Sequence, residues 1–318
     1  MTTTRLLNNG RLPPALMTRL AQAYDVHALP PAGSAERDSF LAEHGASFTA
    51  MATSAAVGID AALLAALPRL QVVSSFGVGL DKIDTAAARQ RGVAVGYTPD
   101  VLNDCVADLA MALLLDVARQ TPAADRFVRR GDWTHTTFPL ARKVSGAKLG
   151  LVGMGRIGRT IARRSTGFDM PLRYHSRKPV DGLPWAHEPD LLALARWADF
   201  LVIITAGGAG TRHLVNAKVL DALGPQGYLI NVARGSVVDE AALVQALLDR
   251  RIGGAGLDVF ENEPQVPQAL WTLDNVVLAP HIASGTHETR QAMADRVFDN
   301  LQAFFATGRV VSGAFDAD

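Results

Sequence analysis

Three apolar runs in the second half of this 318-residue chain each give way to a polar residue. YLINVA leads into Arg234, AGLDVF runs on to Glu263, and NVVLAP leads into His281. Short runs without polar interruption read as strands buried on both faces, the kind found in parallel sheets covered by crossover helices. In open sheets of that type, ligands collect beyond the carboxyl ends of the strands. A guanidinium, a carboxylate and an imidazole are therefore expected to converge in one crevice. Such a set can polarise a carbonyl and deliver a proton without a metal.

Upstream, the run LGLV passes into Gly153-Met154-Gly155-Arg156-Ile157-Gly158, a GxGxxG pattern between an apolar strand and a helix. The first glycine permits a tight turn, the second lets a pyrophosphate approach the backbone, and the third lets helix and strand pack closely. The helix N-terminus then faces the phosphates. A dinucleotide is expected here, against Gly153, Gly155, Arg156, Ile157 and Gly158. The next strand candidate, PLRYH, ends in Ser176-Arg177-Lys178. A site preferring NAD places an acid about 20 residues past the glycines, on the ribose hydroxyls. Ser176 stands 18 residues after Gly158, and two cations follow it. That arrangement suits a 2′-phosphate, so NADP (NADPH over NADH) is the expected cofactor.

The remainder of the chain alternates strand and helix patterns, which predicts an α/β fold with two parallel sheets. The length favours two domains. Strands are expected at LLN, FTAMAT, QVVSSF and VAVGY, with helices around Pro14–Tyr24, Ala35–Glu43, Asp60–Leu67 and Thr85–Arg91. Residues 100–119 read as one long helix capped by Asp100 after Pro99. Residues 120–147 show little periodicity and carry Phe127, Trp133 and Phe138. A long irregular stretch of that kind is usually functional or an interface arm, and it suggests a homodimer. Strands resume at LGLVG, PLRYH, FLVIIT, YLINVA, GAGLDVF and NVVLA, and a last helix spans about Thr286–Phe305. Residues 100–285 have the length of a complete dinucleotide-binding domain. Residues 1–99 with 286–318 are then expected to form a discontinuous substrate domain.

With 31 basic and 31 acidic residues, the chain carries no net charge to attract nucleic acid or a membrane surface. No apolar run approaches the roughly 18 residues of a membrane span, and the N-terminus lacks the apolar core of a signal peptide. The single cysteine, Cys105, allows no internal disulfide, which fits a reducing cytoplasm. His281 and His287 stand six apart, which is not metal-ligand spacing on a helix, and no metal is expected.

Arg234, Glu263 and His281 lie 29 and 18 residues apart, within NVARGSVVDEAAL, GLDVFENEP and LAPHIASGTHETR. With the glycine pattern and SSFGVGLDKID at residues 74–84, these motifs resemble the D-isomer-specific 2-hydroxyacid dehydrogenase family along nearly the whole chain. The resemblance implies a Rossmann-type doubly wound coenzyme domain and a smaller flavodoxin-like substrate domain. It implies that His281 protonates a keto oxygen and that Glu263 holds the imidazole protonated near neutral pH. Arg234 would bind the keto oxygen and the carboxylate of a 2-keto acid. Backbone amides of Val78 and Gly79 would hold the substrate carboxylate. Asp258 would meet the nicotinamide carboxamide. Ser284, Gly285, Asn103, Ala107 and Ala233 would lie near the cofactor, and Ala206 in ITAGGAG would flank the adenosine. The smaller residues of that last loop resemble NADPH-using glyoxylate and hydroxypyruvate reductases. The implied activity is reduction of a small 2-keto acid, glyoxylate or hydroxypyruvate. Alternatives are a reductase of larger keto acids, of 2-ketogluconate or hydroxyphenylpyruvate type, and a nucleotide-sensing binding protein on the same fold.

Overall fold

A computed structural model of the chain describes residues 4–315. Two compact units divide it: one holds the chain up to Leu102 and again from Thr286 onward, the other Asn103–Gly285.

The first unit begins with β1 (Arg5–Asn9), α1 (Pro14–Ala23), β2 (Asp25–Ala28), α2 (Ala35–His44) and β3 (Ala50–Ser54). It continues with α3 (Ala61–Ala66), β4 (Val72–Phe76), α4 (Thr85–Gln90) and β5 (Ala94–Gly96). The helices start where a polar side chain can take up an orphan amide: Ser34, Asp60 and Asp84 each accept a backbone N–H of the first turn. The sheet is parallel with order β2-β1-β3-β4-β5, the flavodoxin-like order. Leu7, Met51, Val73 and Val95 from four strands meet Phe48, Ile59, Leu63 and Leu67 in its core.

The second unit begins with α5 (Asn103–Arg119) and α6 (Thr121–Arg129). Next come β6 (Leu149–Val152), α7 (Arg156–Ser165), β7 (Leu172–His175), β8 (Ala186–His187), α8 (Leu191–Trp197) and β9 (Phe200–Ile203). The last elements are α9 (Ala217–Leu223), β10 (Tyr228–Asn231), α10 (Glu240–Leu248), β11 (Gly254–Leu257) and β12 (Val276–Leu278). All seven strands are parallel, in the order β12-β11-β10-β9-β6-β7-β8. The strand order therefore reverses between β6 and β9, and the glycine turn follows β6. That is the switch point at which doubly wound sheets bind ligands.

The chain then returns to the first unit as α11 (His287–Thr307), capped by Thr286. Its buried Asn300 fixes it there: Asn300 Nδ2 donates to Tyr97 O at 3.1 Å, and Ser312 N donates to Asn300 Oδ1 at 3.0 Å. Ser74 on β4 donates to Val297 O at 3.0 Å.

Several local expectations are corrected. The long helix starts at Asn103, three residues later than expected, and Asp100 before it takes a left-handed backbone with φ 70°. Residues 120–147 are not wholly irregular: they contain α6 and a 3-10 turn at Asp132–Thr134. Strands β2 and β8 were not anticipated. Both are short and lie at sheet edges, where one face and one ladder are open and the apolar pattern is weakest. No helix among the described residues is long and apolar enough to cross a membrane.

Candidate functional site

The glycine turn has the shape its pattern implies. Gly153 has φ 109°, and a Cβ there would lie 2.8 Å from Thr205 N. A Cβ on Gly158 would lie 2.4 Å from Gly153 O, so helix α7 can sit this close to β6 only without a side chain. Gly155 faces open space, with nothing within 4 Å of a Cβ position. It is also the N-cap of α7, followed by Arg156 and Ile157. Tight packing on one side and vacancy on the other fit a pyrophosphate lying on the helix N-terminus.

Beyond β7, three bonds brace the Ser176–Lys178 turn. Ser176 Oγ donates to Lys178 O at 2.6 Å, Ser176 O pairs with His187 Nε2 at 3.0 Å, and Val180 N donates to Tyr174 Oη at 2.8 Å. The Ser176 hydroxyl proton is thus used within the turn. Arg177 and Lys178 are exposed, and no carboxylate among the described residues pairs with them. The turn presents two cations and no acid to its surroundings.

The three polar residues at the strand ends occupy one edge of the second sheet. His281 stands three residues past β12 with φ 53°, a left-handed conformation that costs energy in a non-glycine residue and must be held in place. Asp258, just after β11, holds it. The Asp258 side chain is 0% exposed. Its Oδ1 accepts Ile282 N at 2.7 Å, its Oδ2 accepts Ala283 N at 2.9 Å, and its carbonyl accepts His281 N at 2.8 Å. Burial pushes the Asp258 carboxyl above its ordinary range despite those amide bonds.

Glu263 Oε2 meets His281 Nδ1 at 2.7 Å, and Glu263 Oε1 accepts Phe260 N at 3.1 Å. Burial raises the Glu263 carboxyl, but bonds from His281 and Phe260 N with the charges of His281 and Arg234 outweigh it, and the net shift is downward. An ionised carboxylate can only accept, so Nδ1 carries the proton and Nε2 is the nitrogen turned to other partners. Arg234 follows β10, and its Nη1 donates to Ala233 O at 2.8 Å. Gly235 brings this segment against the Glu263 turn: a Cβ there would lie 1.9 Å from Phe260 C.

The other expected residues fall as follows. Ala206 ends the run after β9 and its carbonyl accepts Thr211 Oγ1 at 2.8 Å. Ala233 is buried and Asn103 begins α5. Ala107 is buried with no exposed surface. Ser284 and Gly285 close the His281 loop, where Gly285 N donates to Ile282 O at 2.7 Å. Val78 and Gly79 belong to the other unit, in the loop after β4. Gly235, Glu240, Glu261, Arg212 and His213, which brace the Glu263 turn, had not been singled out in the sequence. The available signal was the density of charged residues in TRH and FENEP, directly after apolar runs.

A seven-stranded parallel sheet with a dinucleotide turn at its switch point and a histidine–carboxylate pair at its strand ends defines a nucleotide-dependent oxidoreductase class. The chain belongs to the D-isomer specific 2-hydroxyacid dehydrogenase family, whose NAD binding domain pattern matches residues 111–283. It is 48% identical over 272 residues to hydroxyphenylpyruvate reductase of Plectranthus scutellarioides, covering 86% of this chain and 87% of that protein. It is 42% identical over 300 residues to 2-ketogluconate reductase of Gluconobacter oxydans, covering 94% and 95%. The NADPH-dependent glyoxylate/hydroxypyruvate reductase of Sinorhizobium meliloti, solved with NADP and malonate, superimposes with a TM-score of 0.91 at 42% identity, covering 99% of this chain and 97% of that one.

Proposed function

We infer that the enzyme reduces a small 2-keto acid, glyoxylate or hydroxypyruvate, to the 2-hydroxy acid with NADPH. One observation carries the reading: His281 Nδ1 is held by Glu263 Oε2 at 2.7 Å, at the end of a parallel sheet that also carries Arg234 and the glycine turn. When bound, the nicotinamide cofactor supplies the hydride that adds to the carbonyl carbon. His281 gives its Nε2 proton to the carbonyl oxygen, and Glu263 stabilises the imidazolium that precedes transfer. Arg234 draws charge towards the same oxygen and pairs with the substrate carboxylate, for which a planar guanidinium is well shaped.

Residues Asn103–Gly285 are the dinucleotide domain in this reading, and the other unit is the substrate domain. Gly153, Gly155, Arg156, Ile157 and Gly158 would hold the pyrophosphate. Arg177 and Lys178 would take the 2′-phosphate, with Ser176 beside them holding the turn through Lys178 O. Asn103, Ala206, Ala233, Ser284 and Gly285 would border the cofactor. Asp258 is assigned to the carboxamide by resemblance, and its bonds to the His281 loop support a second role as its clamp. Val78 and Gly79 amides would receive the substrate carboxylate. A two-fold homodimer through the 120–147 arm is supported by Trp133 at 69% and Leu140 at 100% exposure. A cytoplasmic location is supported by the single cysteine.

The test is initial-rate turnover with glyoxylate, hydroxypyruvate, hydroxyphenylpyruvate and 2-ketogluconate, with NADPH and NADH in turn. Glyoxylate or hydroxypyruvate with NADPH is expected to give the highest kcat/KM. Replacing the acid by His281→Asn is expected to lower kcat roughly 10²- to 10⁴-fold. Near-normal turnover of that variant would remove His281 from the role, and no turnover of any keto acid by the unmodified chain would favour a binding protein.

A further inference from the structure

The turn that carries Glu263 holds a second histidine–carboxylate pair. Glu261 Oε1 accepts His213 Nε2 at 2.9 Å and Arg212 Nη2 at 2.7 Å. The Glu261 side chain is 18% exposed, against 59% for Arg212 and 35% for His213, so the carboxylate is drawn inward while its cations stay near solvent. Both histidines have left-handed backbones, with φ 49° at His213 and 53° at His281. Strained residues of this kind persist only where the surroundings hold them, and they gather at functional sites. The two carboxylates stand two residues apart on one turn.

That turn is held on every side that the structure records. Glu261 N donates to Glu240 Oε1 at 3.0 Å at the start of α10. His213 N donates to Ser236 O at 2.8 Å, and Gly235 packs directly on Phe260. The Glu263 carboxylate takes an amide bond from Phe260, within its own turn, so it moves with that turn. The charged groups recorded against Glu261 are Arg212 and His213 before α9 and Glu240 on α10, while Arg234 and His281 act on Glu263 of the same turn.

We propose that Glu261 is a positioning residue for reduction: its bonds to Arg212 and His213 fix the Phe260–Glu263 turn where Glu263 meets His281. The proposal rests on His281 being the general acid. A catalytic pair set wrongly by even an ångström loses rate although every reacting group is present. Arg212 and His213 directly follow the 206–211 loop, which Thr211 closes through Ala206 O, and their bonds to Glu261 lie outside that loop.

Two variants test this, Glu261→Gln and the surface pair Arg212→Met with His213→Gln. The readouts are kcat for keto-acid reduction across pH, KM for NADPH, and thermal unfolding. Each is expected to lower kcat by roughly ten- to a hundredfold. The pH profile of reduction is expected to change as well, because a misplaced Glu263 no longer holds the imidazole at 2.7 Å. KM for NADPH should stay within about threefold, the signature of an interaction that matters in the transition state. The surface pair carries the test if Glu261→Gln fails to fold. Wild-type kcat and pH profile in the surface pair overturn the proposal, as does a change in KM alone or an effect confined to Glu261→Gln. His281→Asn is measured alongside: if it retains turnover, the general-acid reading itself has failed, by a separate measurement.

Discussion

At the residue scale the site is an arrangement of carboxylates with opposite tasks. Asp258 is wholly buried and spends both oxygens on backbone amides, so it shapes the loop. Glu263 is partly exposed and spends one oxygen on the imidazole. Their titration has opposite signs. The native Glu263 carboxyl lies below its ordinary value, so it contributes stability that is present above the ordinary glutamate range and is lost as pH falls through the native value. Asp258, raised by burial, favours the native state most at acid pH, and that contribution is lost as pH rises through its native value. Subtracting a Glu263→Gln variant from the unmodified protein cancels the burial part of the Asp258 contribution and leaves only the smaller part that the Glu263 charge adds. The stability difference from urea unfolding is expected to be largest above the ordinary glutamate range and to shrink on acidification. A difference independent of pH would mean that the Glu263–His281 pair contributes nothing to the folded state. Glu263 and His281 were legible in the sequence because apolar runs lead to them, and Asp258 through the family resemblance. The bracing residues were not: Glu261 and His213 are separated by 48 positions, and only the fold reveals that they meet.

At the scale of elements, what the sequence conceals is short or at an edge. β2 reads DVHA, with exposed Asp25 and Ala28 at its ends, and β8 has two residues, too few for any period to register. α6 was hidden by its composition: TPAADRFVR buries only Ala123, so its apolar stripe is narrow. Phe127 from this helix meets Phe138 edge-to-face at 5.4 Å, which orders part of the arm while Trp133 and Leu140 stay outward. Large apolar side chains left this exposed on one arm suggest an association surface. Light scattering at micromolar concentration is expected to give a dimer mass, and Trp133→Ser with Leu140→Ser a monomer mass. A monomer in the unmodified protein would leave the arm without this role. The turn between β10 and α10 gives a second test. Gly235→Ala places a methyl 1.9 Å from Phe260 C, a clash with backbone that cannot rotate away. Overpacking of this sort costs about 1–3 kcal/mol or more, read as a fall in denaturation midpoint, and kcat should fall with it because the displaced turn carries Glu263.

At the scale of the whole molecule, two parallel sheets were readable because βα alternation is repeated along the chain and most strand runs are flanked by helix signals, whereas their strand orders came only with the family resemblance and the fold. The site in the larger sheet was readable because doubly wound sheets place ligands at the switch point, whatever the loops contain. Cofactor choice is the property that the sheet does not determine, since it lies in one turn after β7. That turn is braced internally by Ser176, His187 and Tyr174, so Arg177 and Lys178 are presented on an ordered backbone and a phosphate need not organise it. Ordering done in advance raises affinity by lowering the entropy lost on binding. An NAD-selective turn would add a carboxylate that repels the phosphate; here that repulsion is absent and two cations attract, and specificity counts both. The consequence is measurable without turnover. A ligand that binds only the folded protein stabilises it by about 2.7 kcal/mol at a hundred times its Kd. A nucleotide bound tenfold more weakly, at the same concentration, stabilises it by only about 1.4 kcal/mol. NADP⁺ is therefore expected to raise the unfolding temperature by several degrees and NAD⁺ by about half as much. Arg177→Ala with Lys178→Ala should bring the two shifts together, and Ser176→Asp with Arg177→Ala should reverse their order. Equal shifts in the unmodified protein would assign both cations to solvent and leave the preference to contacts elsewhere on the nucleotide.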